Sequence, residues 1–346
     1  MRTGPDVVHL RFAGVGVRVN SVRGRETLAV DIPVWDVKLE VQSSRVVPGR
    51  LTLKAPLEFL PESAVSPLNN YGQRLQVFSI IEDSSGVRWE CDLGFWLITS
   101  WDEDEDAVSV TALDLMQTLE DDPFAWGSSP ASGARVSTEL QRLAGALPVV
   151  LDAGTFDAPV SPLSQWGTSR TEAIRDLCTA KGLEYAVKAD GCLHVWEKRD
   201  GRKPVAAYAG DDLLVGFSRE STPRRANRWI VTGTGDGDAK LSATATNVVY
   251  PFEPENYGWV TDHREFSAAT SPGALGKAAK TYMGEALNPV RTRSFEIICD
   301  PRLEVGDVIS VHTGASDVTV GRVVALSIPL SEVDSRMRVD VEELQW

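Results

Sequence analysis

Asp92–Leu115 reads DLGFWLITSWDEDEDAVSVTALDL, and the fold turns on its five consecutive acids, Asp102 to Asp106. The strings on either side are rich in Val, Ile, Leu and aromatics, with apolar and polar residues partly alternating, as in half-buried strands. The acids between them are a connection lying in water, a cation cage or a pair of catalytic carboxylates. Clustered carboxylates repel one another and keep their hydration most cheaply in an exposed turn. A Ca²⁺ loop needs converging oxygens at set positions, a Gly at its sharp bend and a bidentate Glu at its end. DEDED has no such Gly, so the run is expected to be a solvated hairpin connection, with cation binding as the alternative.

A second stretch echoes the first. YGQRLQVFSI (Tyr71–Ile80) followed by Asp92–Leu115 resembles VGDVISVHTG (Val305–Gly314) followed by TVGRVVALSIPLSEVDSRMRVDVEEL (Thr319–Leu344). Each has a Gly, an alternating strand, a loop, a Gly-led strand with a Ser near its end, an acidic turn and a Val-rich strand. A strand and a proline precede each block: RLTLKAP (Arg50–Pro56) and SFEIICDP (Ser294–Pro301). The pattern predicts one β-barrel present twice. PLSEVDS stands in the second copy where DEDED stands in the first, which supports the turn reading.

Between the copies the texture changes. ARVSTELQRLAGALP predicts a helix with Val136, Leu140, Leu143 and Leu147 on one face, stopped by Pro148. Ser169-Arg170-Thr171-Glu172 is a capping box opening a second helix, with Ile174, Leu177 and Cys178 inward and Gly182 at its left-handed end. In LEYAVKADGCLHVWE, Asp190-Gly191 marks a hairpin, because the turn needs positive φ. Further on, Ser271 as N-cap and Pro272 at the first position open a helix with Leu275, Tyr282 and Met283 on its face, ended by Asn288-Pro289. The expected class is mainly β with an α+β insert: two similar β-barrel domains flanking a small α/β module. The boundaries are 1–122, a first barrel with an N-terminal arm (VVHLRFAGVGVRVNSVRG); 123–210, two helices plus a hairpin; and 211–346, a second barrel with an inserted helix near 271–287.

Composition narrows the function. Of 346 residues, 49 are acidic and 35 are Lys or Arg, a net charge of −14. Such a chain does not grip phosphate backbones, and PRRANR (Pro223–Arg228) and VRTR (Val290–Arg293) are too short to reverse that. Acidity does suit a surface that nucleic acid must pass without sticking. MRTGPDVVHLRF has no apolar core of a signal peptide, and no 18-residue apolar run occurs, so stable membrane insertion is not expected. Cys91, Cys178, Cys192 and Cys299 stand singly, as buried thiols do.

No residue qualifies as catalytic, cofactor-binding or metal-binding. There is no G-x-S-x-G elbow, no H-E-x-x-H and no Walker A. His9, His194, His263 and His312 are scattered; His194 lies in a hairpin strand and His312 at a strand end, places for structural histidines. GTGDGDAK (Gly233–Lys240) lies between two strands and opens no helix, so it reads as a hairpin loop and not as a phosphate loop. No cofactor and no enzyme activity are expected, although paired carboxylates for glycoside cleavage are not specific enough to be seen in sequence.

The order barrel, α/β module, barrel resembles the tail hub (baseplate hub) proteins of tailed bacteriophages, which include gp27-like hubs and the N-terminal part of siphophage tail-associated proteins. The stretches that carry the likeness are DLGFWLITSWDEDEDAVSVTALDLMQTLEDD, TSRTEAIRDLCTAKGLEYAVKADGCLHVWE, RRANRWIVTGTG and LEVGDVISVHTG, and the phrasing is most similar to minor tail proteins of actinobacteriophages. The resemblance implies a homotrimer whose six barrels form a pseudo-sixfold ring, a symmetry adaptor between a sixfold tail tube or distal tail protein and a threefold tip. It implies a structural role in genome ejection, with DNA and tape measure protein passing the lumen. Separate tail-tip or receptor-binding proteins would be neighbours, and the place would be the virion tail tip, assembled in the host bacterial cytoplasm. Many relatives carry a lysin or fibre extension; with VDVEELQW just past the last strand, any such enzyme or spike is expected to be a separate protein, and the N-terminal VVHLRFAGVGVRVNSVRG is expected as an arm, reaching a neighbouring subunit. Two alternatives from other classes are a tail-associated cell-wall glycan hydrolase or carbohydrate-binding module, and the hub of a contractile injection system.

Overall fold

The structure is a computed structural model and describes residues 1–82, 85–197, 203–210, 213–218, 225–234, 240–265, 272–287, 291–314, 317–331 and 336–344. Two compact units divide the chain: Met1–Ser218 with Thr292–Trp346, and Arg219–Arg291. The first unit begins with strands β1 (Gly14–Arg23), β2 (Glu26–Ala29), β3 (Trp35–Gln42), β4 (Gly49–Pro56), β5 (Gln73–Glu82), β6 (Arg88–Glu103) and β7 (Ala107–Asp114). Helices α1 (Gln117–Glu120) and α2 (Val136–Ala144), strand β8 (Val149–Leu151), helix α3 (Arg170–Lys181) and strands β9 (Leu183–Val187) and β10 (Leu193–Glu197) follow. β11 (Ala206–Ala209) and β12 (Leu214–Ser218) precede the second unit, which holds β13 (Arg228–Thr234), β14 (Lys240–Thr246), α4 (Pro254–Tyr257), β15 (Thr261–Glu265) and α5 (Pro272–Leu287). The chain then returns to the first unit with β16 (Thr292–Ile298), β17 (Val308–His312), β18 (Val318–Pro329) and β19 (Arg336–Glu343).

The repeat expected from sequence is present as strand order. β4, β7, β6 and β5 lie side by side, all antiparallel; so do β16, β19, β18 and β17. A bulge interrupts the β6–β7 ladder between Ile98 and Ser100, and one interrupts β18–β19 between Val323 and Ala325. Bulges re-aim a strand and pin its register, so a shared position is a strong mark of equivalence. Registers anchored there match Leu53 with Phe295, Leu75 with Ile309, Ile98 with Val323, Val110 with Val339 and Ala112 with Val341. All ten are buried in one core. Gly72 and Gly306, each opening a strand of its repeat, also match and have φ of +90° and +93°. The second glycine pairing suggested by sequence does not hold: Gly94 (φ +87°) lies two residues out of step with Gly321, which matches Trp96.

The class is mainly β, 46% strand against 16% helix. The two barrel domains are not confirmed: no closed barrel is found among the described residues, and the repeats run edge to edge in a 13-stranded sheet. The reason lies in β3. Its free edge pairs with β18, from Ala325↔Gln42 to Pro329↔Lys38, so that edge is not available to close the first repeat on itself.

The α/β segment is a three-stranded sheet, β8-β10-β9, with α2 and α3 sharing its core. The face read from sequence, Val136, Leu140, Leu143 and Leu147, is buried. Ser169 Oγ accepts from the Glu172 N–H at 3.2 Å, and Gly182 ends α3 at φ +65°. The hairpin turns through Ala189-Asp190-Gly191, with Lys188 and Cys192 as the closing pair and Gly191 alone at positive φ (+76°), a three-residue loop.

In the second unit β14, β13 and β15 form a separate sheet, whose core joins Val231 and Ala245 to Leu275 and Ala279 of α5. The expected caps Ser271 and Asn288-Pro289 lie outside the described residues, as do 235–239 of the Gly-Asp loop, 332–335 of PLSEVDS, Pro223, Arg224 and Val290. β13 and β14 are antiparallel up to Thr234↔Lys240, so GTGDGDAK connects a hairpin.

Candidate assembly surfaces and polar clusters

The acidic run is the tip of the β6–β7 hairpin. All five side chains from Asp102 to Asp106 are exposed. The Asp104 N–H donates to the Ala107 carbonyl at 2.8 Å, closing the turn, and Ser109 Oγ donates to Asp104 Oδ2 at 2.7 Å. With Lys54 3.5 Å away, that hydroxyl helps hold the Asp104 carboxyl below the ordinary range. Among the described residues no group of three or more His, Cys, Asp or Glu is arranged to hold a metal ion.

His194 is placed between two carboxylates, Nδ1 at 2.6 Å from Asp152 Oδ1 and Nε2 at 2.9 Å from Asp190 Oδ2. Burial opposes its charge, but the carboxylates outweigh burial and raise its pKa above 6.5. In its protonated form, with both N–H groups donating to these carboxylates, the ring has no lone pair for a general base. It ties the β9–β10 turn to the segment after β8. Cys91, Cys178 and Cys299 are buried and Cys192 is half-buried; burial pushes the Cys91 and Cys178 thiols up to about 11 and about 12, away from the nucleophilic thiolate.

The N-terminus holds a cluster that sequence did not announce. Asp300 and Arg302 are buried, with Arg302 Nη2 donating to Asp300 Oδ2 at 2.6 Å and Nε donating to Oδ1 at 2.7 Å. Tyr208 Oη donates to the same carboxylate at 2.7 Å, and Arg302 Nη1 donates to the Pro5 carbonyl. The Met1 ammonium meets Asp307 at 2.7 Å and Glu304 at 3.0 Å, while Arg2 donates to the Pro301 and Leu303 carbonyls. Residues 1–5, which precede the segment expected as an arm (VVHLRFAGVGVRVNSVRG), are pinned to this chain's own second repeat. The cause is this pairing of buried charge, which no local pattern marks.

A cavity of about 360 Å³ opens between the β3–β4 connection, β9 and β18. Arg45, Arg175, Tyr185, Trp196, Glu304 and Arg322 are among its lining residues. Glu184 is occupied by the Arg322 guanidinium and by Trp196 Nε1, which donates at 2.9 Å. Asp114, on the same wall, is pushed up to about 6 by burial, against the Met116 N–H that donates to it. The lining suits packing and ion pairing; no Ser or Cys beside a base is among it.

No family model matches the chain, and no curated protein does. Solved structures do. The chain matches the tail protein from Neisseria meningitidis MC58 with a TM-score of 0.62 at 14% identity, over 95% of this chain and 97% of that one. It matches the 43 kDa tail protein of prophage MuSo2 from Shewanella oneidensis at 0.60 and 12% identity, over 94% and 98%. For prophage tail protein gp18 from Listeria monocytogenes EGD-e the figures are 0.54 and 11%, over 95% of both chains. At these identities the likeness is one of fold: along nearly its whole length the chain has the fold of phage tail proteins. The resemblance to tail hub proteins read from sequence holds at that level.

Proposed function

We propose that the chain is a structural, non-enzymatic tail hub, a minor tail protein at the tail tip of a phage virion. Three copies would form a ring in which two repeats per subunit imitate six, joining a sixfold tail tube or distal tail protein to a threefold tip. In this reading 1–122 and 211–346 each contain one repeat, and 123–210 is the α/β module between them. The observation that carries it is the duplicated order β4-β7-β6-β5 and β16-β19-β18-β17 with its shared bulge, because symmetry matching requires two similar faces on one chain. The fold likeness to phage tail proteins supports the same reading. Tape measure protein, distal tail or tube protein and separate tip proteins are the implied partners. The net charge of −14 suits a lumen that DNA traverses without binding.

Electron microscopy of the purified chain and of tail tips tests this. Class averages with a threefold axis and six similar lobes are expected. Particles without a threefold axis would overturn the proposal.

A further inference from the structure

Four neighbouring residues of the second unit put apolar surface into water. In the connection from β14 to α4, Val248, Val249 and Tyr250 are 53%, 70% and 83% exposed, and Pro251 is exposed beside them. Such a run lowers solubility and persists where a surface is used. No charge stands between Leu241 and Phe252, twelve residues in which a chain that is 24% charged would carry about three.

The run is held in one shape. The Phe252 N–H donates to the Val249 carbonyl at 2.8 Å, closing a turn with Tyr250 and Pro251 at its corners. The Val249 N–H donates to Asn247 Oδ1 at 3.1 Å. Asn227, buried at 0% exposure, anchors both ends. Its Nδ2 donates to the Phe252 and Gly258 carbonyls, each at 2.9 Å, and its Oδ1 accepts from the Val260 N–H at 2.8 Å. Its own carbonyl accepts from the Asn247 N–H at 2.9 Å. A tip fixed in this way loses little freedom when it binds.

Cations stand at the root of the turn. Asn227 belongs to PRRANR, of which Arg225–Arg228 are described. The Arg228 guanidinium lies 4.9 Å from the centre of the Trp259 ring, and its Nε donates to Thr261 Oγ1 at 2.8 Å. Trp259 follows Gly258 and is 47% exposed. Among the described residues neither Arg225 nor Arg228 has an acid partner. Residues 219–291 hold nine Lys or Arg against eight Asp or Glu, so the net charge of −14 resides in the other unit.

We propose that the Val248–Pro251 turn inserts into an anionic lipid surface, with Arg225 and Arg228 at the headgroups. A protein contact that stands alone needs ~800 Å² per partner, and these five partly exposed side chains, Trp259 included, fall short of it. A lipid surface asks for an uncharged apex, aromatic rings at the boundary and cations at the base, and the turn supplies all three. The proposal does not rest on the ring reading above; three copies in a ring would add avidity to the same contact.

Flotation of the full chain with vesicles at low salt tests this. Wild type is expected to rise with vesicles of phosphatidylglycerol and phosphatidylcholine in equal parts, and about tenfold less with phosphatidylcholine alone. Val249→Ser with Tyr250→Ser, both at exposed positions, should lower the bound fraction about tenfold. Arg225→Gln with Arg228→Gln should bring binding to the mixed vesicles down to the phosphatidylcholine level. A polarity-sensitive dye on Tyr250→Cys, in a Cys192→Ser background, should shift to the blue when vesicles are added. Thermal melts check that each variant is folded. A wild type that does not rise with the mixed vesicles, or a folded double-serine protein that rises as wild type does, overturns the proposal. No vesicle binding together with loss of the double-serine protein from assembled tail tips would make the turn a protein contact and overturn the lipid reading. None of these readouts uses the threefold axis, so the ring reading stands or falls separately.

Discussion

Glu304 offers the sharpest test of how the N-terminal segment is held. Its carboxylate receives the Met1 ammonium at 3.0 Å, Lys188 Nζ at 3.4 Å and Arg2 Nε at 3.9 Å, and its side chain is 15% exposed. Burial works against its charge, yet Arg2, Lys188 and the N-terminal ammonium prevail and bring its pKa from 4.5 down to about 2. At 1.36 kcal/mol per pKa unit, that difference corresponds to ~3 kcal/mol of stability at neutral pH. The folded-state value is depressed, so the contribution is complete above the unfolded value and is lost as pH falls from 4.5 to about 2. Glu304→Gln keeps size and polarity and removes the charge. Urea unfolding followed by tryptophan fluorescence should place the variant ~3 kcal/mol below wild type at about pH 7, with the gap closing as the solution is acidified. A gap that is absent at neutral pH, or does not change with acidification, would refute the assignment.

The remaining predictions concern other single contacts. Arg302→Met leaves Asp300 buried beside Tyr208 without its cation and should cost ~3–5 kcal/mol in the same unfolding assay. Gly72→Ala meets nothing within 4 Å, and Gly306→Ala meets only Trp196 at an ordinary 3.7 Å, so each should cost the backbone term alone, ~1–2 kcal/mol. Near-equal losses are expected if the two glycines do the same work in the two repeats, and a several-fold difference would count against their equivalence. For His194 the raised folded-state pKa means stability is fully present below 6.5 and fades as pH rises through the raised value. The deficit of His194→Gln relative to wild type, ~1 kcal/mol or less, should therefore be larger at about pH 5.5 than at about pH 9, as read by thermal melts.

Much of the local structure was legible because its causes are local. Gly72, Gly182, Gly191 and Gly306 sit where φ is positive, and that need shows in sequence as a glycine beside a strand or helix end. The 3.6-residue spacing of Val136, Leu140 and Leu143 and the Ser169 cap act within one turn of chain. Five adjacent carboxylates announce their own exposure. The duplication was legible too, since alternation in each block follows from the face it buries. The misplaced glycine pairing, Gly94 with Gly321, arose because glycine marks two different needs: positive φ in Gly94, and at Gly321 a close approach where a Cβ would lie 2.4 Å from the Glu342 carbonyl.

Partner choice was not legible. Every strand edge offers the same N–H and C=O groups, so nothing in WDVKLEVQ says that it joins β18 of the other repeat and leaves the first repeat open. Nothing in MRTGP says that it lies over Pro301–Asp307, because Asp300 and Arg302 reveal their pairing only once Tyr208 and the first residues bury them. The chain sequence by itself determined the elements, their turns and their twofold repetition, which depend on neighbours a few residues apart. The tertiary structure alone decided which edges meet and which stay uncovered, because those contacts compare strands hundreds of residues apart whose hydrogen-bonding groups are identical.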